Sequence, residues 1–155
     1  MNYVGLSLCD MANGPGCRVS LFVSGCTLHC DGCFNRKSWN FNAGMPFTKE
    51  TQNKILTALS NPYISGLSLL GGDPFEPEHE STLVELCKAV KDLQNKTIWM
   101  WTGRLYEQVK DTELVKYADV LIDGPFMKCY HSKDLKYRGS SNQRILYLSK
   151  RRQNG

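Results

Sequence analysis

Apolar and polar positions follow two different periods along this chain, and the changes of period mark its elements. Residues 18–24 are mostly apolar without strict alternation, the pattern of a buried parallel strand. Residues 48–60 place Ile55, Leu56 and Leu59 at helical spacing, with Thr48 as candidate N-cap and Asn61-Pro62 as the stop. Three residues after Thr48 stands Thr51, not the acid of a capping box. Residues 65–70 predict a strand running into Gly71-Gly72-Asp73-Pro74, and 78–93 a helix with Leu83, Leu86, Val90 and Leu93 on one side. A third strand at 97–101 closes on Thr102-Gly103. A helix over 105–117 carries Leu105, Val109, Leu114 and Val115, and a fourth strand at 119–122 ends at Asp123-Gly124-Pro125. The segment 126–142 is irregular and basic, and a last strand is predicted at 144–148. A sixth is expected near the N-terminus or around 133–138.

Strands that alternate with helices predict βαβ units, a largely parallel sheet and right-handed crossovers. Binding groups in such sheets gather at the carboxyl ends of the strands. Four loops distant in sequence, around Ser24-Gly25-Cys26, Gly71–Pro74, Thr102-Gly103 and Asp123–Pro125, are thereby expected on one rim. Residues 1–155 are read as a single domain, since no linker-like run divides two apolar sets.

Composition narrows the function classes. Apolar residues make up 41 % and charged residues 22 % of the chain, within the globular range. No apolar run approaches a membrane span, and the first residues lack the basic start of an export signal. A cytoplasmic protein is expected, with its thiols reduced. The net charge of +4 is modest, and Lys150, Arg151 and Arg152 carry much of it, so no direct nucleic-acid partner is expected. No Walker loop and no dinucleotide fingerprint occurs.

The seven cysteines then change the picture. Cys87 sits in a helical setting and reads as a buried apolar residue, and Cys9 and Cys17 read as structural. Cys26, Cys30 and Cys33 stand together, spaced C-x3-C-x2-C, immediately after the first strand. Zinc wants four Cys or His ligands, often as paired knuckles, and only one x2 pair is present; His29 precedes Cys30 directly and reaches the same ion poorly. A redox dithiol at Cys30 and Cys33 leaves Cys26 unexplained. Three thiolates can hold three irons of a [4Fe–4S] cube and leave the fourth open to a reactant.

The stretch Cys26–Cys33 resembles the cysteine signature of the radical S-adenosylmethionine enzymes, and Gly71-Gly72-Asp73-Pro74 resembles their glycine-glycine-acid segment. Residues 13–18, 22–35, 70–74, 101–103, 122–124 and 138–144 together resemble more specifically the small glycyl-radical activases of anaerobic ribonucleoside-triphosphate reductases. At 155 residues a closed barrel, which needs about 250, is excluded. The expected fold is an α/β partial, open (β/α) barrel with a largely parallel sheet of about five or six strands.

The resemblance implies that Cys26, Cys30 and Cys33 ligate the cluster and carry the catalysis. It implies that S-adenosylmethionine is cleaved to methionine and a 5′-deoxyadenosyl radical, which takes hydrogen from a backbone glycine of the large reductase subunit. A flavodoxin-type electron donor is implied as second partner. Gly71, Gly72, Asp73, Thr102 and Asp123 are the candidate contacts to the methionyl and ribose groups, and Asn142 and Arg144 to the carboxylate or nucleoside. Gly32 stands where many superfamily members have an aromatic before the third cysteine, so Phe34 is the candidate to stack on adenine; Asp73 replaces the commoner glutamate. Trp39, Trp99 and Trp101 read as packing or rim residues, His79 and His131 as surface groups, and Arg18, Lys128, Lys133, Lys136 and Arg138 as candidate partner contacts. The alternatives are an activase of another, formate-lyase-like, glycyl-radical enzyme and a zinc-stabilised adaptor without catalysis.

Overall fold

A computed structural model describes residues 1–33 and 36–149. The Phe34 assignment and the basic tail from Lys150 lie outside the described residues. The elements run β1 (Asn2–Asp10), β2 (Cys17–Val23), β3 (Met45–Pro46), α1 (Lys49–Leu59), β4 (Ile64–Gly71), α2 (Glu80–Lys91), β5 (Thr97–Trp101), α3 (Tyr106–Val109), β6 (Val120–Asp123) and β7 (Arg144–Tyr147).

Among the described residues the strands form one seven-stranded sheet in the order β3-β1-β2-β4-β5-β6-β7. The centre, β2-β4-β5-β6, is parallel as expected. The flanks are not: β1 pairs antiparallel with β2 and β3, and β7 antiparallel with β6. The β1–β2 case follows from chain length, since residues 11–16 are too few for a parallel crossover of about a dozen residues or more.

Parallel register explains the core. Val19, Leu67 and Ile98 stand abreast across three strands, as do Leu21, Leu69, Met100 and Leu121 across four. These side chains pack in one cluster with Ile55 and Leu59 of α1 and Leu83, Leu86 and Val90 of α2. Each such burial contributes about 1.5–3 kcal/mol. Neighbouring residues alternate to the opposite face. There Trp99, Val120 and Ile122 form a second cluster, covered by Trp101, Tyr137 and Ile145.

Several expectations need correction. Helix α1 does have a capping box: Thr51 Oγ1 accepts the Thr48 amide at 3.2 Å, and Thr48 Oγ1 accepts the Thr51 amide at 3.3 Å, so a hydroxyl does the acid's work. The helix expected over 105–117 is broken into α3 and a 3-10 turn at Leu114–Tyr117. Thr112 stops it, its hydroxyl turning back 2.6 Å onto the Val109 carbonyl. Arg18 is not a surface cation. It is fully buried and bonds Ser68 Oγ, the Leu67 carbonyl and the Thr97 carbonyl at 2.8–3.0 Å, pinning β2 across β4 to β5. Burial lowers its pKa to about 10, which leaves it charged at neutral pH. Cys9 and Cys17, expected as thiols, form a disulfide; the β1–β2 hairpin brings their Cα atoms to 5.3 Å. No helix among the described residues is long and apolar enough to cross a membrane.

Candidate functional site

The cysteine loop leaves β2 at the carboxyl end of the parallel strands. Backbone bonds hold its entry: the Gly25 amide donates to the Ser38 carbonyl at 2.6 Å and the Cys26 amide to the Trp39 carbonyl at 3.1 Å. A second clamp comes from β4. The Gly72 amide donates to Val23 at 2.7 Å and the Asp73 amide to Gly25 at 2.9 Å. This approach explains the glycine pair. Gly71 has φ +105°, and a Cβ on Gly72 would stand 2.4 Å from the Gly25 carbonyl oxygen. The sequence suggested that these glycines make room for a ligand. The nearest neighbour of Gly71 is the β2 backbone at Val23, and that of Gly72 is the backbone of the cysteine loop itself at Gly25.

Cys26, Cys30 and Cys33 all line one cavity of about 420 Å³. Gly71, Gly72, Asp73, Thr102 and Gly103 line it too, and the segment from Phe126 to Gln143 forms its far wall. That wall is anchored where Trp101 Nε1 donates to the Tyr137 carbonyl at 2.7 Å. Three of the four expected loops thus meet at one space. The fourth stands behind it: Asp123 is fully buried, accepts the Tyr106 amide at 2.7 Å and binds Arg144, which also reaches Glu107 at 3.0 Å. Asn142 donates to the Pro125 carbonyl at 2.8 Å. Asp123, Asn142 and Arg144 are not among the lining residues; Gln143 is.

Asp73 has a complete set of partners from its own chain. Both its oxygens lie 2.9 Å from Thr102 Oγ1, and it accepts the amides of Phe75 at 2.9 Å and Gly103 at 3.1 Å. Arg104 Nη1 stands 2.9 Å from it, and Arg104 Nη2 stands 3.1 Å from Glu76. Glu76 in turn accepts both the amide and the hydroxyl of Thr27 at 2.7 Å. One network therefore joins the loop after β2 to those after β4 and β5. Burial raises the Asp73 carboxyl above its usual range. Burial also works against the charge of Glu76, but the Thr27 donors and the Arg104 guanidinium together hold that carboxyl below its usual range. Arg104, Glu76 and Thr27 were missed in the sequence, where no spacing marks them. His79 was misjudged: it is 1 % exposed, packed near Phe41 at the foot of α2. His131 is exposed and lines the cavity, as do Phe126 and Tyr137.

Three soft thiols on one loop, opening on one cavity, suit an iron–sulfur centre, which brings its own bridging sulfides. Among the described residues no group of three His, Cys, Asp or Glu side chains is placed to hold a single metal ion. Burial pushes the Cys26 thiol up to about 11, so loading of a centre there must release its proton.

A family model described as a 4Fe-4S single cluster domain matches residues 12–146. Anaerobic ribonucleoside-triphosphate reductase-activating proteins align over nearly the whole chain. That of Enterobacteria phage T4 is 47 % identical over 146 residues, covering 94 % of this chain and 93 % of its own. This chain belongs to that family. The Vibrio cholerae relative is 41 % identical over 150 residues (94 % and 97 % covered), and the Escherichia coli K12 relative 38 % identical over 153 residues (96 % and 99 % covered).

Proposed function

We propose that this protein is a glycyl-radical activase of an anaerobic ribonucleoside-triphosphate reductase, working as a radical S-adenosylmethionine enzyme in the cytoplasm. The observation that carries the reading is the meeting of all three loop cysteines with the Gly71–Asp73 and Thr102-Gly103 loops around one cavity. Cys26, Cys30 and Cys33 would hold a [4Fe–4S] centre, which when bound and reduced would supply the electron for cleaving S-adenosylmethionine to methionine and a 5′-deoxyadenosyl radical, the species that would take a hydrogen atom from a backbone glycine of the reductase.

The chain's own residues bind and orient. The backbone of Gly71 and Gly72 and the Thr102–Gly103 turn form the wall on which the methionyl end lies. Asp73 holds that wall in shape by accepting from Thr102 and Gly103, and Arg104 and Glu76 tie it to Thr27 beside the first cysteine. Phe126 and Tyr137 close the opposite side around the nucleoside and keep water from the radical. Asp123, Asn142 and Arg144 fix the strand ends behind this wall. The helix-free face of the sheet is read as the inside of a partial barrel, open on the side where the glycine loop enters.

The test is anaerobic. Reconstituted protein, reduced and mixed with S-adenosylmethionine and the anaerobic reductase, should generate a glycyl-radical EPR signal on the large subunit. A colourless protein holding one zinc and giving no radical would overturn the reading.

A further inference from the structure

The parallel strands have a second end, and a second cavity opens there. It measures about 610 Å³ and lies at the amino ends of β2, β4 and β5, where Arg18, Ser65, Lys96 and Thr97 line it. Gln94 and Asn95, both exposed, line it from the loop before β5. Among the described residues none lines both this cavity and the one at the cysteines, and no carboxylate lines this one.

The charge around it is unbalanced. Arg18 is fully buried, yet its five hydrogen bonds all go to neutral oxygens, those of Pro15, Leu67, Ser68 and Thr97. The Lys96 ammonium donates to two carbonyls, of Asn61 at 2.9 Å and Ile64 at 2.5 Å, and keeps a third N–H. Neither cation belongs to an ion pair among the described residues. Asp119, the carboxylate whose field reaches Arg18, is itself bound to Lys91 at 2.6 Å. Buried charges are ordinarily paired, because taking a lone ion out of water is costly. Two cations thus line one cavity with no acid beside them.

The lining also offers donors. Thr97 Oγ1 accepts from Arg18 at 3.0 Å, so its own hydrogen turns elsewhere, and the Ser65 carbonyl it faces is 3.5 Å away. That hydroxyl passes the pull of the guanidinium to a ligand that Arg18 itself does not touch. The Ser65 hydroxyl and the Gln94 and Asn95 amides add further donors. Such a site repels a metal cation, and an apolar guest would leave its donors unmet. An oxyanion meets both the charge and the donors.

We propose that this cavity binds a phosphate group, with Lys96, Thr97 and Ser65 as donors and Arg18 as the buried countercharge. Its volume lies within the range of about 300–1,000 Å³ usual for small-molecule sites, so it has room for the organic part of a phosphoester as well. The site needs no cluster, and its test is independent of the reading under Proposed function.

The experiment is anaerobic isothermal titration of the reconstituted protein with inorganic phosphate and, separately, with glycerol 3-phosphate. At least one should bind once per chain with a Kd below about 1 mM. Binding should persist at about 0.15 M sodium chloride, where diffuse surface charge is screened beyond about 8 Å. Tighter binding of the ester assigns the group to a metabolite, and equal binding assigns it to free phosphate; either supports the site. Lys96→Glu and Gln94→Glu each put a carboxylate on the lining and should weaken binding roughly tenfold or more. The exposed Gln94→Glu serves if Lys96→Glu, which loses the bonds to Asn61 and Ile64, fails to fold. Absence of saturable binding by both probes overturns the inference. So does binding that vanishes at that salt, or binding as tight in the folded variants as in the wild type, since the anion then sits elsewhere.

Discussion

Arg104 is the residue whose removal most directly probes the network that joins the site loops. It stands between Asp73 and Glu76, whose side chains are 1 % and 4 % exposed, at 2.9 and 3.1 Å. Removing one partner of a buried ion pair costs about 3–5 kcal/mol, because the remaining charge stays buried without compensation. Here both carboxylates keep other donors: Thr102, Gly103 and Phe75 for Asp73, and Thr27 for Glu76. Arg104→Ala should therefore fall at the low end, about 3 kcal/mol. For a chain of this size that is a drop in Tm of roughly 6–12 °C. Arg104→Lys keeps the charge but reaches one carboxylate at a time, and should recover less than half. The assay is thermal unfolding of the metal-free protein under anaerobic conditions, repeated across pH. Glu76, held below its ordinary 4.5, contributes stability that is complete above that value and is lost as pH falls through its folded pKa. Asp73, raised above its ordinary 3.8, acts in the opposite sense, its contribution complete in acid and lost as pH rises through its folded pKa. Loss of Arg104 raises both carboxyls, so the gap between variant and wild type should be widest near neutrality and narrow as both become protonated. An Arg104→Ala variant within 1 kcal/mol of wild type, or a gap that widens in acid, would refute the reasoning.

Changing Cys26, Cys30 or Cys33 singly to Ala should abolish bound iron and adenosylmethionine cleavage. Cys87→Ala, deep in the core and away from the cavity, should keep its iron and lose only about 1–2 kcal/mol to the cavity it leaves, as read by iron analysis beside denaturant unfolding. Gly72→Ala places a methyl 2.4 Å from the Gly25 carbonyl oxygen; it should cost about 1–3 kcal/mol and loosen cluster retention, and normal iron content with normal stability would count against the clamp. Opening the Cys9–Cys17 bridge, eight residues apart in sequence, should lower stability by about 2–3 kcal/mol through the unfolded state, seen as a Tm difference with and without dithiothreitol. An unchanged Tm would show that the hairpin is held by its strand pairing alone.

What could be read from the sequence was whatever is local. The buried run at 18–24, the periodic helices and the glycine-rich strand ends all signal through neighbours a few residues away, and the structure places β2, β4, β5 and β6 close to where they were expected. The cysteine triad is local as well, three thiols within eight positions, and its meeting with the Gly71 and Thr102 loops followed from the rule that parallel strands end on one rim. The antiparallel flanks were harder. A short hairpin at 11–16 and a long irregular return at 124–143 leave direction undetermined by period alone. His79 and Arg18 were misjudged for a related reason: polar residue type predicts exposure on average, and only packing reveals the particular ones enclosed by the sheet.

The sequence by itself determined the donor set offered to the proposed centre, because C-x3-C-x2-C after a strand puts three soft ligands on one loop whatever the rest of the chain does. Only the tertiary structure decided what surrounds that loop. Thr27, Glu76, Asp73 and Arg104 come from three strand ends and converge through side-chain bonds of 2.7–3.1 Å that no spacing encodes. The same holds for the division between the two faces of the cysteine loop. Leu28 and His29 are adjacent in the chain, and a single left-handed backbone step at His29 sends one toward the cavity and the other onto Trp39.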